Sequence, residues 1–157
     1  MDFQAFADSR GVDAANRHVC RVGDTASLTK TFHEEDIRAF AELSLDDNGV
    51  HTDPQLSRRG LFRRPVVHGV LVGSLISSVM GTQLPGHGAV LQDQQIEYLA
   101  PVYPGDTVTA EVKLTGIEEK ERYYLAQLEG TCRNQDDVVC VKAVCHQLML
   151  KRFFVVE

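Results

Sequence analysis

An aspartate and a histidine, Asp46 and His51, flank the turn Asp47-Asn48-Gly49-Val50. A chain folding back across such a turn can aim a carboxylate and an imidazole at one point, where the pair can hold and deprotonate a water. The same residue types also suit a turn-capping aspartate beside a loop histidine, so spacing alone leaves both readings open. A second group of interest is Pro65-Val66-Val67-His68-Gly69, at the start of an apolar run. The first amides of a helix have no intrahelical acceptor, and with the macrodipole they favour an anion or a developing oxyanion. Gly69 leaves such an amide unobstructed, although it also suits a packing role in the stripe Gly69, Gly73, Ser77 and Gly81. Ser77, two turns along that stripe, can meet a group beside the helix or bond the carbonyl four residues back.

These groups need elements to position them. Residues 66–92 contain no Asp, Glu, Lys or Arg, although charged residues make up 24% of the chain. A helix apolar around most of its circumference is buried, so the run from Pro65 to Leu84 is predicted as a buried helix with proline at its start. Ahead of it, residues 33–45 show helical periodicity with Glu34, Glu35 and Asp36 in the first turn. Asp46 to Gly49 ends that helix, with Gly49 free to take positive φ. Residues 51–64 read as a basic, irregular connection. Residues 19–32 form a first strand region broken at Gly23-Asp24, and strands are expected over 89–99, 107–117, 122–133 and 138–150. Val108, Ala110, Val112 and Leu114 alternate with polar neighbours, which implies a sheet packed on one face. The expected architecture is α+β: an antiparallel sheet curled round one central helix. Residues 1–18 are predicted to be a loosely held arm, and residues 19–157 one domain.

Composition narrows the function classes. A net charge of −6 and a pI near 5.5 argue against nucleic acid as a partner. The four cysteines, Cys20, Cys132, Cys140 and Cys145, form no CxxC pair, and the lone histidines His18, His33, His87 and His146 lack metal-ligand spacing. Reduced core thiols are expected, in keeping with a cytoplasmic setting, and Cys140 and Cys145, five apart, should face opposite sides of their strand. The N-terminal stretch has no apolar h-region, and the serines, His68 and Gln83 of the apolar run make a buried helix a better reading than a membrane span. There is no P-loop, dinucleotide fingerprint or nucleophile elbow.

The run Phe40 to Pro54, containing Asp46-Asp47-Asn48-Gly49-Val50-His51, followed by Arg64-Pro65-Val66-Val67-His68-Gly69, resembles the signature of the MaoC-like (R)-specific enoyl-CoA hydratases and 3-hydroxyacyl dehydratases. Gln83-Leu84-Pro85-Gly86 and Pro101-Val102-Tyr103-Pro104-Gly105-Asp106 fall where that family has similar runs. The resemblance implies a hot-dog fold and a homodimer joined through sheet edges, with higher oligomers possible. It implies Asp46 and His51 as the catalytic pair, the Gly69 amide as oxyanion hole, and Ser77 and Asn48 as further substrate-binding groups. The substrate is then an acyl thioester. Its carrier, CoA or acyl carrier protein, belongs to the substrate, and no separate cofactor or metal is required. The alternatives on the same fold are an acyl-CoA thioesterase and a non-catalytic acyl-thioester-binding module. One departure stands out: Gly49 replaces the proline that usually follows the asparagine.

Overall fold

A computed structural model describes residues 17–157. The expected arm over residues 1–18 lies outside them except for Arg17 and His18, and His18 already belongs to a strand. Five strands form one antiparallel sheet: β2 (Thr25–Thr31), β3 (Val90–Tyr98), β4 (Thr107–Glu119), β5 (Tyr123–Arg133) and β6 (Val139–Leu150), in the spatial order β2-β4-β5-β6-β3. The short strands β1 (His18–Cys20) and β7 (Phe154–Val156) pair in parallel as a separate ribbon. The first strand region is therefore two strands in two sheets, divided by the turn at Gly23 with its φ of 101°. β7 was not expected from the sequence.

The sheet curls round the helix Gly69–Thr82, numbered α4 below after α1 (Glu34–Ser44), α2 (Gly49–Thr52) and α3 (Pro54–Arg59). This is the α+β hot-dog arrangement. The alternation in β4 does what it should: Val108, Ala110, Val112 and Leu114 are all fully buried, facing α4 residues Ile76, Val79 and Met80 in one core. Each large aliphatic side chain so buried contributes about 1.5–3 kcal/mol. The close approach of helix and sheet depends on Gly130 in the central strand β5. A methyl there would lie 2.6 Å from Ile76 Cγ2.

Several local expectations need correction. The central helix begins at Gly69, with His68 as its N-cap, not at Pro65. Residues 65–67 stay outside the helix because the Val66 amide donates to the Val50 carbonyl and the Val67 amide to the Val102 carbonyl. The stretch 51–64 is not irregular throughout, since Asn48 caps α2 and Asp53 caps α3, with Pro54 in the first turn where its missing N–H costs nothing. Gly49 opens α2 with helical backbone, and the positive φ in this turn belongs to Leu45, at 62°. Cys140 and Cys145 are both buried. The register of β5 with β6 steps from Cys132–Val141 to Arg133–Val139, so Cys140 is an extra residue that the bulge turns inward.

Candidate active site

The site is assembled where the end of α1, the α2 turn and the start of α4 meet. Leu45 ends α1 in the left-handed conformation, and the Ser44 hydroxyl, itself bonded to the Phe40 carbonyl, accepts the Asp46 amide at 3.2 Å. Asp46 thereby leaves the helix with its carboxylate exposed, and Asn48 follows with its side-chain oxygen accepting the Val50 amide. One turn of helix then presents His51. Beneath that turn the buried Ser57 hydroxyl lies 2.7 Å from the Asp53 carbonyl and 3.3 Å from the Val50 carbonyl, tying α3 to α2.

His51 is oriented from the other side. Its Nδ1–H donates to the Val66 carbonyl at 2.8 Å, which leaves Nε2 as a lone-pair acceptor. The His68 ring stacks on the His51 ring, with centroids 3.8 Å apart and planes inclined by 24°. His68 Nε2–H donates to the main-chain carbonyl of Asp46 at 2.9 Å. An Asp46 carboxylate oxygen, a His51 ring nitrogen and a His68 ring nitrogen all lie within 4.8 Å of one another. That proximity alone would suit a metal ion, but two stacked imidazoles send their in-plane lone pairs side by side, where tetrahedral coordination needs them to converge. One nitrogen of each ring is also committed to a carbonyl. The arrangement fits proton transfer better.

His51 and Gly69 line the same cavity of about 740 Å³, whose other walls include Phe62, Val72, Tyr98 and Val102. Such apolar walls with a few convergent polar groups are what an acyl chain with one reactive end requires. Gly69 is the first residue of α4, so its N–H has no acceptor within the helix. The glycine has a steric reason too, because a methyl at position 69 would meet the Tyr98 ring at 3.0 Å. His51 also borders a second cavity, of about 460 Å³, lined by Arg38 and Arg64. The Arg64 guanidinium lies over the Tyr103 ring at 3.8 Å.

Of the residues singled out from sequence, Asp46 comes together with His51, and His51 shares a cavity wall with Gly69. Asn48 sits in the same turn, its carbonyl oxygen capping α2. Ser77 lies on the exposed side of α4, outside the residues lining either cavity. Neither a back-bond to Gly73 nor any other side-chain hydrogen bond of Ser77 occurs among the described residues; Ser74, by contrast, bonds the Leu71 carbonyl. Sequence reasoning missed His68 as a member of the group, and Ser57 and Tyr98 as its supports. Only His68 left a signal, as an imidazole directly before the helix-opening glycine.

Comparison with known proteins agrees with the fold. The chain is 45% identical over 98 residues to the (R)-specific enoyl-CoA hydratase of Aeromonas caviae, covering 62% of this chain and 73% of that one. It is 33% identical over 128 residues to a mitochondrial 3-hydroxyacyl-[acyl-carrier-protein] dehydratase of Arabidopsis thaliana, covering 81% and 76%. Among solved structures, an (R)-hydratase from A. caviae involved in PHA biosynthesis superposes with a TM-score of 0.76 at 38% identity, covering 82% of this chain and 96% of that one. The MaoC like domain family matches residues 14–131, three quarters of the sequence, and this chain belongs to that family.

Proposed function

We propose that the protein is a hydro-lyase that adds water to trans-2-enoyl thioesters, or removes it from (R)-3-hydroxyacyl thioesters. The observation that carries this reading is the meeting of the Asp46 carboxylate with the imidazole of His51, a residue that lines an apolar cavity together with the helix-opening Gly69. The hydratase and dehydratase names of the relatives support it.

In the hydration direction the thioester carbonyl accepts a hydrogen bond from the Gly69 N–H, which draws electron density from the conjugated double bond. Asp46 and His51 hold a water, and His51 Nε2, free of the proton fixed at Nδ1, takes its proton as the oxygen bonds to the β-carbon. The double-bond electrons shift towards the thioester oxygen, where the helix-opening amide stabilises the developing enolate. The proton held on His51 Nε2 then passes to the α-carbon, restoring the neutral imidazole, and dehydration runs the same steps backwards. Asn48 acts as a secondary substrate-binding group in this reading, whereas Ser77, on the exposed side of α4 and outside both cavities, has no part in the scheme. All the required acid, base and oxyanion groups are supplied by the chain, so no separate cofactor enters the scheme. Arg63 and Arg64 offer cations to the phosphates of the CoA or carrier-protein arm.

The working form in this reading is a homodimer in the cytoplasm. β3 has a neighbour only in β6 among the described residues, and its open edge carries the half-exposed Tyr98 at the cavity wall. A second copy pairing there would cover both. No helix among the described residues is long and apolar enough to cross a membrane.

The test is purified protein with crotonyl-CoA. Loss of the conjugated absorbance, with the (R)-3-hydroxy product recovered, is expected. Release of free thiol from saturated acyl-CoA without hydration would point to a thioesterase, and binding without turnover to a carrier module.

A further inference from the structure

His68 is the one buried titratable side chain at the site that the mechanism above leaves without a role. It is 1% exposed, and its side-chain hydrogen bond and two ring contacts go to Asp46, His51 and Phe40. Its Nε2–H donates to the Asp46 carbonyl, its ring face lies on the His51 ring, and Phe40 of α1 packs against it at 4.9 Å and 59°. Its Nδ1 is buried without a hydrogen-bond partner.

A buried polar atom left unpaired costs about 1–3 kcal/mol, so a leucine or phenylalanine would be the cheaper filling for this space. Two features make an imidazole useful instead. The Asp46 carbonyl follows a left-handed residue and lies beyond the last regular turn of α1, where no main-chain donor reaches it among the described hydrogen bonds. Only a side chain with an N–H on its far edge can anchor it. His51, for its part, is fixed in the ring plane by its Nδ1–H bond to Val66, which does not stop the ring from rocking about that bond. A flat ring at 3.8 Å on one face does stop it.

We propose that His68 is a positioning residue that locks the acid to the base: in its Nε2–H tautomer it holds the Asp46 main chain with one edge and the His51 ring with one face. The bare Nδ1 follows from this tautomer, since the single proton of the neutral ring is committed to the carbonyl. His68 is absent from the cavity wall, so its part in the scheme is to position, not to transfer a proton. Its effect is to keep the Asp46 carboxylate and His51 Nε2 in register while the α2 turn, which has one exposed side, moves. This inference rests on the reading of Asp46 and His51 as the acid–base pair.

Two substitutions separate the two contacts. His68→Phe keeps a flat ring against His51 and loses the donor; His68→Gln keeps a donor near the position of Nε2 and loses the flat ring. Each should lower kcat for crotonyl-CoA hydration by about ten- to a hundred-fold, the scale of a small misplacement of reacting groups, with KM within about two-fold. In a His51→Ala background the loss from His68→Phe should overlap with the existing one instead of multiplying it. A merely structural role would give a multiplicative loss, or changes in KM and melting temperature with kcat preserved, and either result overturns the proposal. Nitrogen NMR of labelled histidine in the wild-type protein supplies a readout that needs neither folding of the variants nor turnover. His68 must show the Nε2–H tautomer, and finding the proton on Nδ1 also overturns the proposal. Because that spectrum is independent of substrate, a correct tautomer in a protein that hydrates no enoyl thioester would mean that the functional reading fails while the geometry stands.

Discussion

Gly130→Ala probes how the sheet holds the central helix. Gly130 lies in β5, the middle strand, paired with Val112 of β4 on one side and Ala143 of β6 on the other. The added methyl would stand 2.6, 2.9 and 3.1 Å from the Cγ2, Cδ1 and Cγ1 atoms of Ile76, which is fully buried on α4. Rotating Ile76 gives no relief, because all its branches lie in the contact and the core around them is filled. Either α4 lifts or the strand bows. Overpacking of this kind costs about 1–3 kcal/mol. Replacing glycine within a strand returns about 0.5–1 kcal/mol of backbone entropy. Taken at the middle of both ranges the net loss is about 1.2 kcal/mol, which for a chain of this size lowers Tm by about 2–5 °C. Thermal and urea unfolding followed by circular dichroism measure it. Ile76→Ala alone should cost about 2–5 kcal/mol, and combining it with Gly130→Ala should cost less than the sum, since each change relieves the other's defect. A Gly130→Ala protein as stable as wild type, or simple additivity in the pair, refutes the packing argument.

Other outcomes follow from local geometry. Gly49→Pro places proline at the first position of α2, where no hydrogen bond of the Gly49 N–H is lost among the described residues and the added Cβ crowds the movable end of the half-exposed Leu56 while touching the Asp53 Cβ at an ordinary 3.4 Å; unfolding should show a gain of about 0.4–1 kcal/mol. The Asp36 carboxyl is held below its ordinary range, first by the His33 amide and then by Lys30. Its folded pKa lies below the unfolded one, so its stabilisation is present above about pH 4 and is lost as pH falls through the folded value. Asp36→Asn should therefore cost about 0.5–1 kcal/mol near neutral pH and nothing in acid, as read from denaturant midpoints across pH. Burial pushes the Cys132 thiol up to about 12 and the Cys145 thiol up to about 11, with nearby Cys140 and Asp93 adding to the respective shifts. Neither should react with a thiol reagent at pH 8 until the protein unfolds, and rapid labelling of the native protein would contradict the packing described for them.

The sequence made the sheet and the central helix legible because their signals are local. Alternation along β4 and the uncharged run ahead of Gln92 each report burial within one element. The start of α4 was misplaced by four residues because the non-helical state of Pro65–Val67 depends on the carbonyls of Val50 and Val102, which are distant in sequence. β7 pairs with β1 across almost the whole chain, and no local pattern announces it. The caps Asn48 and Asp53-Pro54 were readable signals for α2 and α3, obscured by the surrounding turn residues. At the site, spacing suggested that Asp46 and His51 could meet, and the resemblance assigned them roles. The stacking of His68 on His51, and its hold on the Asp46 carbonyl, came only from the tertiary structure.

The central claim is that Asp46 and His51 act together on one water at the mouth of the apolar cavity. Its most direct measurement is kcat for crotonyl-CoA hydration by Asp46→Asn and His51→Ala, with melting curves taken on the same preparations. The account predicts a fall of about two to four orders of magnitude in each variant with the fold retained. Near-normal turnover in either folded variant would contradict it.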